Sequence, residues 1–254
     1  MSIQLPPPGD FESFFVFALH KSGSTLLNNM LAEVLAATGM PQVALSELLF
    51  SAGLPENEII NPQEVILDRG YCYRGFRQYP QYLNKINLQN KKKVLLVRDP
   101  RDIAISSFFS IAYSHAIPES GPVRDEMMAR RDMALTIKID EYCVSESQHI
   151  LNEYLGYINH VGPDTRVYKY EDVIFNKEAW LHDLVKYFNI PAPPDLVSQV
   201  AKKHDLIPGE ERVGHHIRQV IPGNHKKHLS PEAIEKLGEI FGPLLTQFKY
   251  EITI

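Results

Sequence analysis

Between Phe14 and Leu35 the chain reads FFVFALHKSGSTLLNNMLAEVL, an apolar run that breaks at a glycine-bearing turn and resumes at helical spacing. Phe14 to Leu19 sets aromatic and β-branched residues ahead of turn signals, the pattern of a buried strand. From Thr25 onward Leu26, Leu27, Met30, Leu31, Val34 and Leu35 recur with the helical period and predict a helix. A strand, a short loop and a helix N-terminus make an anion site, because backbone N–H groups point outward and the helix dipole favours negative charge. Lys21 adds a mobile cation, Ser22, Ser24 and Thr25 add hydroxyls, and Gly23 permits the tight turn. That chemistry suits phosphate or sulfate. The Walker spacing GxxxxGK[ST] is absent, since Lys21 precedes the glycine, so a nucleoside-triphosphate loop fits poorly. Taken alone, these residues are also compatible with a solvated lysine in an ordinary turn.

The rest of the chain alternates strand and helix patterns. Val43–Leu45, Val65–Leu67, Tyr71–Phe76, Lys93–Val97 and Arg166–Tyr170 read as strand material, KVLLV at 93–97 being nearly all apolar, as a sheet covered on both faces requires. Helical spacing covers Ser46–Phe50, the turns after Pro100, Arg124–Ile158 with one interruption, Glu178–Phe188, Asp195–His204 and Pro231–Phe241, the last with Ser230 as N-cap. Arg98 therefore sits at a second strand-to-helix junction. Ile207–Asn224 is rich in Gly, His and Arg with no period, the mark of a functional or mobile loop. These patterns predict an α/β fold, a mostly parallel central sheet flanked by helices, with ligands outside the carboxyl ends of its strands. We read residues 1–254 as a single domain, 1–12 as a flexible lead-in and 207–224 as a lid loop.

Composition narrows the class only modestly. A chain of 254 residues with 44% hydrophobic content can bury a full core. A net charge of -5 and a pI near 6.1 argue against a protein that coats nucleic acid. Cys72 and Cys143 fit neither a metal-ligand spacing nor a disulfide framework, and no stretch is long and apolar enough to span a bilayer, so a soluble, cytoplasmic protein with reduced thiols and no metal is expected.

Four segments together carry a resemblance: HKSGSTLL at 20–27, RDPRDIAISSFFS at 98–110, YEDV at 170–173 and IRQVIPGNHKKHLS at 217–230. In this order they are similar to the sulfotransferases that use 3′-phosphoadenosine 5′-phosphosulfate (PAPS) and release PAP, and they extend over nearly the whole chain. The resemblance implies the P-loop-kinase-like sulfotransferase fold. It implies that Lys21 meets the oxygen bridging phosphate and sulfate, and that Ser24 and Thr25, in a loop with Ser22 and Gly23, bond the 5′-phosphate. Arg98, Ser106 and Arg218 correspond to the residues that hold the 3′-phosphate. Tyr170 falls where the family's tyrosine approaches the adenosine, while Gly223, Lys226 and His228 keep the spacing of the segment that folds over the nucleotide.

The chain also departs from that pattern. Leu26 stands where many relatives have a tryptophan that stacks on adenine, Val220 replaces a glycine, and His225 replaces a second tryptophan. Phe76 falls at the position of the family's catalytic histidine. Some bacterial and Golgi-type relatives use a glutamate soon after the first helix as base, and Glu47 resembles it; His20 and His115 are the other candidates. The expected reaction is sulfuryl transfer to a hydroxyl or amine of a small molecule, a bacterial natural product or toxin by analogy. An ATP–Mg-dependent nucleotide or metabolite kinase and a PAP-binding module without catalysis are the alternatives. Oligomeric state, a homodimer included, is left open.

Overall fold

The computed structural model describes residues 3–54, 59, 61–211 and 218–251. In chain order it contains β1 (Phe14–Ala18), α1 (Ser24–Ala37), β2 (Gln42–Val43), α2 (Leu45–Ser51), β3 (Cys72–Phe76), β4 (Lys93–Val97), α3 (Pro100–Phe109), α4 (Pro122–Thr136), α5 (Ile139–Ile158), β5 (Thr165–Lys169), α6 (Tyr170–Val173), α7 (Lys177–Phe188), α8 (Pro194–Lys203), α9 (His225–His228) and α10 (Pro231–Gln247). The chain divides into two compact units, residues 1–97 with 161–206, and residues 98–160 with 207–254.

The first unit holds the sheet. Its five strands run in the order β2-β3-β1-β4-β5, and every pairing is parallel. β1 is central because FFVFA is buried on both faces, which a strand tolerates only with covered neighbours on each side. β1 lies between β3 and β4, and the connections leave it in opposite directions, so its carboxyl end and that of β4 flank the crevice where doubly wound sheets bind ligands. Leu27, Met30, Leu31, Val34 and Leu35 of α1 pack with Leu181, Leu184 and Phe188 of α7 and Val197 and Val200 of α8 over the sheet. Each such side chain stabilises the fold by about 1.5–3 kcal/mol when fully buried. The segment ahead of β1 contacts the stretch that leads into β3. Gly9 N–H donates to Gly70 O (3.1 Å), the Tyr71 hydroxyl donates to Pro6 O (2.7 Å), and Arg69 pairs with Asp10 and Glu12.

The second unit is helical. α3, α5 and α10 pack together, and α3 opens on Asp99, whose side chain accepts the Arg101 N–H, with Pro100 in the first turn where its missing N–H costs nothing. Two expectations need correction. Val65–Leu67 is not a strand: a short 3-10 turn at Pro62–Glu64 leads into it, and Leu67 N–H goes to the Tyr73 hydroxyl rather than to a ladder. α10 runs through Pro243 to Gln247, past the expected end at Phe241, because burying Leu244 and Leu245 outweighs the lost helical hydrogen bond. No helix among the described residues is long and apolar enough to cross a membrane.

Candidate active site

In the first unit the chain leaves β1 with Leu19 N–H still donating to Leu96 O (3.2 Å), and then folds back on itself. Ser22 closes this turn: its N–H and its hydroxyl both donate to Leu19 O, at 3.2 and 2.7 Å. Lys21 is held at φ 59, the left-handed region that non-glycine residues adopt at a cost, so the fold spends strain to present this lysine. Gly23 follows at φ 97, and a Cβ there would stand 2.9 Å from Tyr170 Cδ2. The residue thus serves the turn and admits the Tyr170 ring beneath the loop. α1 starts at Ser24 with no side-chain cap, so its opening N–H groups and the positive end of its dipole are left for a ligand.

Asn28 ties this loop to the end of β3. Its Nδ2 donates to Ser24 O (2.8 Å), and its Oδ1 accepts the Gly75 N–H (2.9 Å). Gly75 has φ +85, and a Cβ there would meet Glu47 Cγ at 3.3 Å, so Glu47 of α2 lies directly against the carboxyl end of β3, beside Phe76. Arg74 Nη1 stands 3.5 Å from Glu47 Oε2, and Arg74 Nε donates to Gln42 Oε1 at 2.6 Å. Phe76 is fully buried against Phe17, ring centroids 5.3 Å apart. The strand end where the resemblance leads one to expect a histidine therefore carries a glutamate brought in from α2. His20 precedes Lys21 in the turn, partly exposed. Tyr71, just ahead of β3, and Tyr73 within it are core residues with their hydroxyls engaged by Pro6 and Leu67.

In the second unit Arg98 is 5% exposed, and its Nη2 lies 3.4 Å from Asp102 Oδ2. The Arg98–Asp102 ion pair is thus a buried one. Asp102 is fully buried and also accepts Gly223 N–H (2.7 Å), His225 N–H (3.0 Å) and His225 Nδ1 (2.7 Å). Burial alone would raise its pKa, but the His225 side chain, the Arg98 charge and the His225 N–H hold the carboxyl well below the usual range. His225, which stands where relatives have tryptophan, is therefore a pin between α9 and α3. One helical turn beyond Asp102 comes Ser106, and next on the same face comes Phe109, whose ring lies 4.1 Å under the Arg218 guanidinium. Burial and the nearby Arg98 charge lower the Arg218 pKa to about 10, so the two guanidiniums repel and together call for an anion.

Not every expected residue joins these groups. Lys226 is exposed and pairs with Glu251 at 2.8 Å, whereas its neighbour Lys227 reaches Glu211, the carboxylate on Arg218. His115 Nδ1 lies 3.2 Å from Ser110 Oγ, in the π-helical turn that follows α3. Of the expected lid loop, 212–217 lies outside the described residues. A cavity of about 760 Å³ lined by α7 and α8 shares no residue with either cluster, and its Lys177 is already paired with Asp205. Phe109, Glu211, Lys227 and the pinning roles of Asp102 and His225 were missed from sequence. The i, i+4, i+7 spacing of Asp102, Ser106 and Phe109 hinted at the two α3 residues among them, and nothing in the pattern at the others.

A family profile described as the sulfotransferase domain matches residues 11–249. The chain belongs to the sulfotransferase family. Like the family, it is a PAPS-dependent sulfotransferase. No curated protein sequence matches it. Among solved structures, this sulfotransferase is similar to mouse sulfotransferase SULT7A1 complexed with PAP, with 13% identity over 96% of this chain and 90% of that one and a TM-score of 0.64. Retinol dehydratase in complex with androsterone and the inactive cofactor PAP follows, with 14% identity over 94% and 82% and a TM-score of 0.49. At such identities the likeness speaks for the fold alone. The chain's own residues fit PAPS: an uncapped helix with a strained lysine suits its phosphosulfate, and two buried, mutually repelling arginines suit a phosphate monoester.

Proposed function

We propose that this sulfotransferase moves the sulfuryl group of PAPS to a hydroxyl or amine of a small-molecule acceptor, with Glu47 as the base. The observation that carries the nucleotide assignment is the α3 face on which Ser106 lies between Asp102, which orients Arg98, and Phe109, which carries Arg218. Arg98, Ser106 and Arg218 then take the 3′-phosphate, a guanidinium fork and a hydroxyl being matched to its oxygens. Lys21, Ser24 and Thr25 take the 5′-phosphosulfate, with Tyr170 packed beneath the loop. When bound, PAPS supplies the sulfuryl group and PAP is the product released. Lys21 neutralises charge building on the bridging oxygen, and Glu47 removes the acceptor's proton. A bacterial natural product or toxin is the acceptor class that the sequence resemblance favours.

Thermal stabilisation tests the nucleotide. PAP at about one hundred times its Kd adds about 2.7 kcal/mol, a rise in melting temperature of about 5–10 °C for a chain this size. AMP and ATP–Mg are expected to give far smaller shifts, and Arg98→Ala to abolish the PAP shift. A larger shift with ATP–Mg would move the protein to a kinase chemistry.

Glu47→Gln tests the base. We expect kcat to fall by about 10²–10⁴-fold, with the PAP-induced melting shift intact. If the variant keeps its turnover while His20→Ala or His115→Ala loses it, a histidine is the base and Glu47 only supports Arg74.

A further inference from the structure

Building on the 3′-phosphate assignment, we infer that Glu211 is a resident anion on the phosphate-binding arginine, which the 3′-phosphate of the nucleotide must displace, and that it thereby keeps weaker anions off that arginine. Three groups converge on its half-buried carboxylate. Arg218 Nη1 donates to Glu211 Oε1, Lys227 Nζ donates to Oε2 at 2.6 Å, and His228 Nε2 stands 3.3 Å from Oε1. Burial and the Arg218 and Lys227 charges depress the His228 pKa, so the effective cations are the arginine and the lysine. A guanidinium stacked on Phe109 and 9% exposed has few directions left in which to meet an anion, and Glu211 takes the principal one.

Charge matching gives the exchange its direction. With Glu211 in place, Arg98, Arg218 and Lys227 face two carboxylates, Asp102 and Glu211, which leaves one positive charge in excess. If a phosphate monoester replaces Glu211, its charge of about -2 balances the three cations against Asp102 and itself. A chloride or another monoanion brings no more charge than the carboxylate already there, and that carboxylate is tethered in place. A nucleotide lacking the 3′-phosphate has nothing to exchange for it and leaves Glu211 on Arg218. The residue therefore lowers affinity for every ligand that needs Arg218 and in return rejects weak anions.

The test is calorimetric titration of wild type, Glu211→Gln and Glu211→Asp with PAP and with AMP, alongside melting curves without ligand. Expected for Glu211→Gln is PAP binding tightened by about tenfold, AMP binding changed less than about twofold, and a slightly lower melting temperature without ligand that PAP more than restores. Glu211→Asp, which keeps the charge, is expected near wild type. A residue that merely positions Arg218 would behave differently, since its loss would weaken PAP binding and lower both melting curves. PAP affinity that falls or stays constant in Glu211→Gln while wild type binds PAP overturns the exchange and spares the nucleotide assignment. No PAP binding by either protein overturns both.

Discussion

Lys21→Ala is expected to lower kcat/KM by about 10²–10³-fold, the usual cost of removing one preorganised group aimed at charge that develops in the transition state. The leaving group in sulfuryl transfer is a phosphate, and its bridging oxygen gains charge as the bond to sulfur breaks. On the proposed assignment Lys21, in the turn between β1 and α1, answers that charge, along with the uncapped N-terminus of α1. The backbone supplies an independent control. Lys21 sits at φ 59, where glycine is comfortable and other residues are strained by about 1 kcal/mol or more. Lys21→Gly should therefore melt no lower than wild type and yet be as inactive as Lys21→Ala. Steady-state kinetics and melting curves on both variants decide the matter. If the glycine variant keeps its turnover, the lysine is a surface residue of an ordinary turn and the phosphosulfate is held by backbone N–H groups alone.

What could be read from sequence divides along a physical line. β1, β4 and α1 were legible because each is decided by local pattern: continuous apolar strands need cover on both faces, and α1 repeats its leucines at the helical period. The Lys21 turn was legible for the same reason, being local in sequence. Val65–Leu67 misled because three apolar residues in a row do not reveal where their N–H groups go, and one of them goes to the Tyr73 hydroxyl. The end of α10 misled because propensity stops a helix near Gly242–Pro243, while packing of Leu244 and Leu245 carries it on. Glu47, the proposed base, was named by the resemblance, but its placement could not be read from local pattern. Glu47 and Gly75 come from different elements, and only the parallel pairing of β2 with β3, together with the glycine at φ +85, brings the carboxylate against the strand end. The same holds for Glu211. Its partners Arg218, Lys227 and His228 are 7 to 17 residues away in sequence, the last two beyond the unpatterned stretch in α9, and no periodicity announces such a meeting.

Asp102→Asn is expected to be the most destabilising of the substitutions considered, by about 3–5 kcal/mol, because it removes one charge from a buried pair and leaves the other uncompensated. The fully buried carboxylate serves four donors: Arg98 Nη2, Gly223 N–H, His225 N–H and His225 Nδ1. An amide has one oxygen to accept with, and its NH₂ would face a donor. Arg98 and the start of α9 would lose their common anchor, so PAP affinity should fall together with stability. The pH dependence separates this from simple misfolding. The folded Asp102 carboxyl is held well below the usual range while the unfolded one titrates near 4, so its contribution is complete above about pH 4 and is lost as the pH falls from there toward the folded value. Urea unfolding of wild type at pH 7 and at pH values below 4 should show that loss, and Asp102→Asn should show a smaller one, the remaining slope coming from other carboxylates held low, such as Glu33 by the Lys203 hydrogen bond. Parallel acid profiles in the two proteins, at any overall stability, would mean that Asp102 carries no buried charge and that Arg98 is oriented by something else.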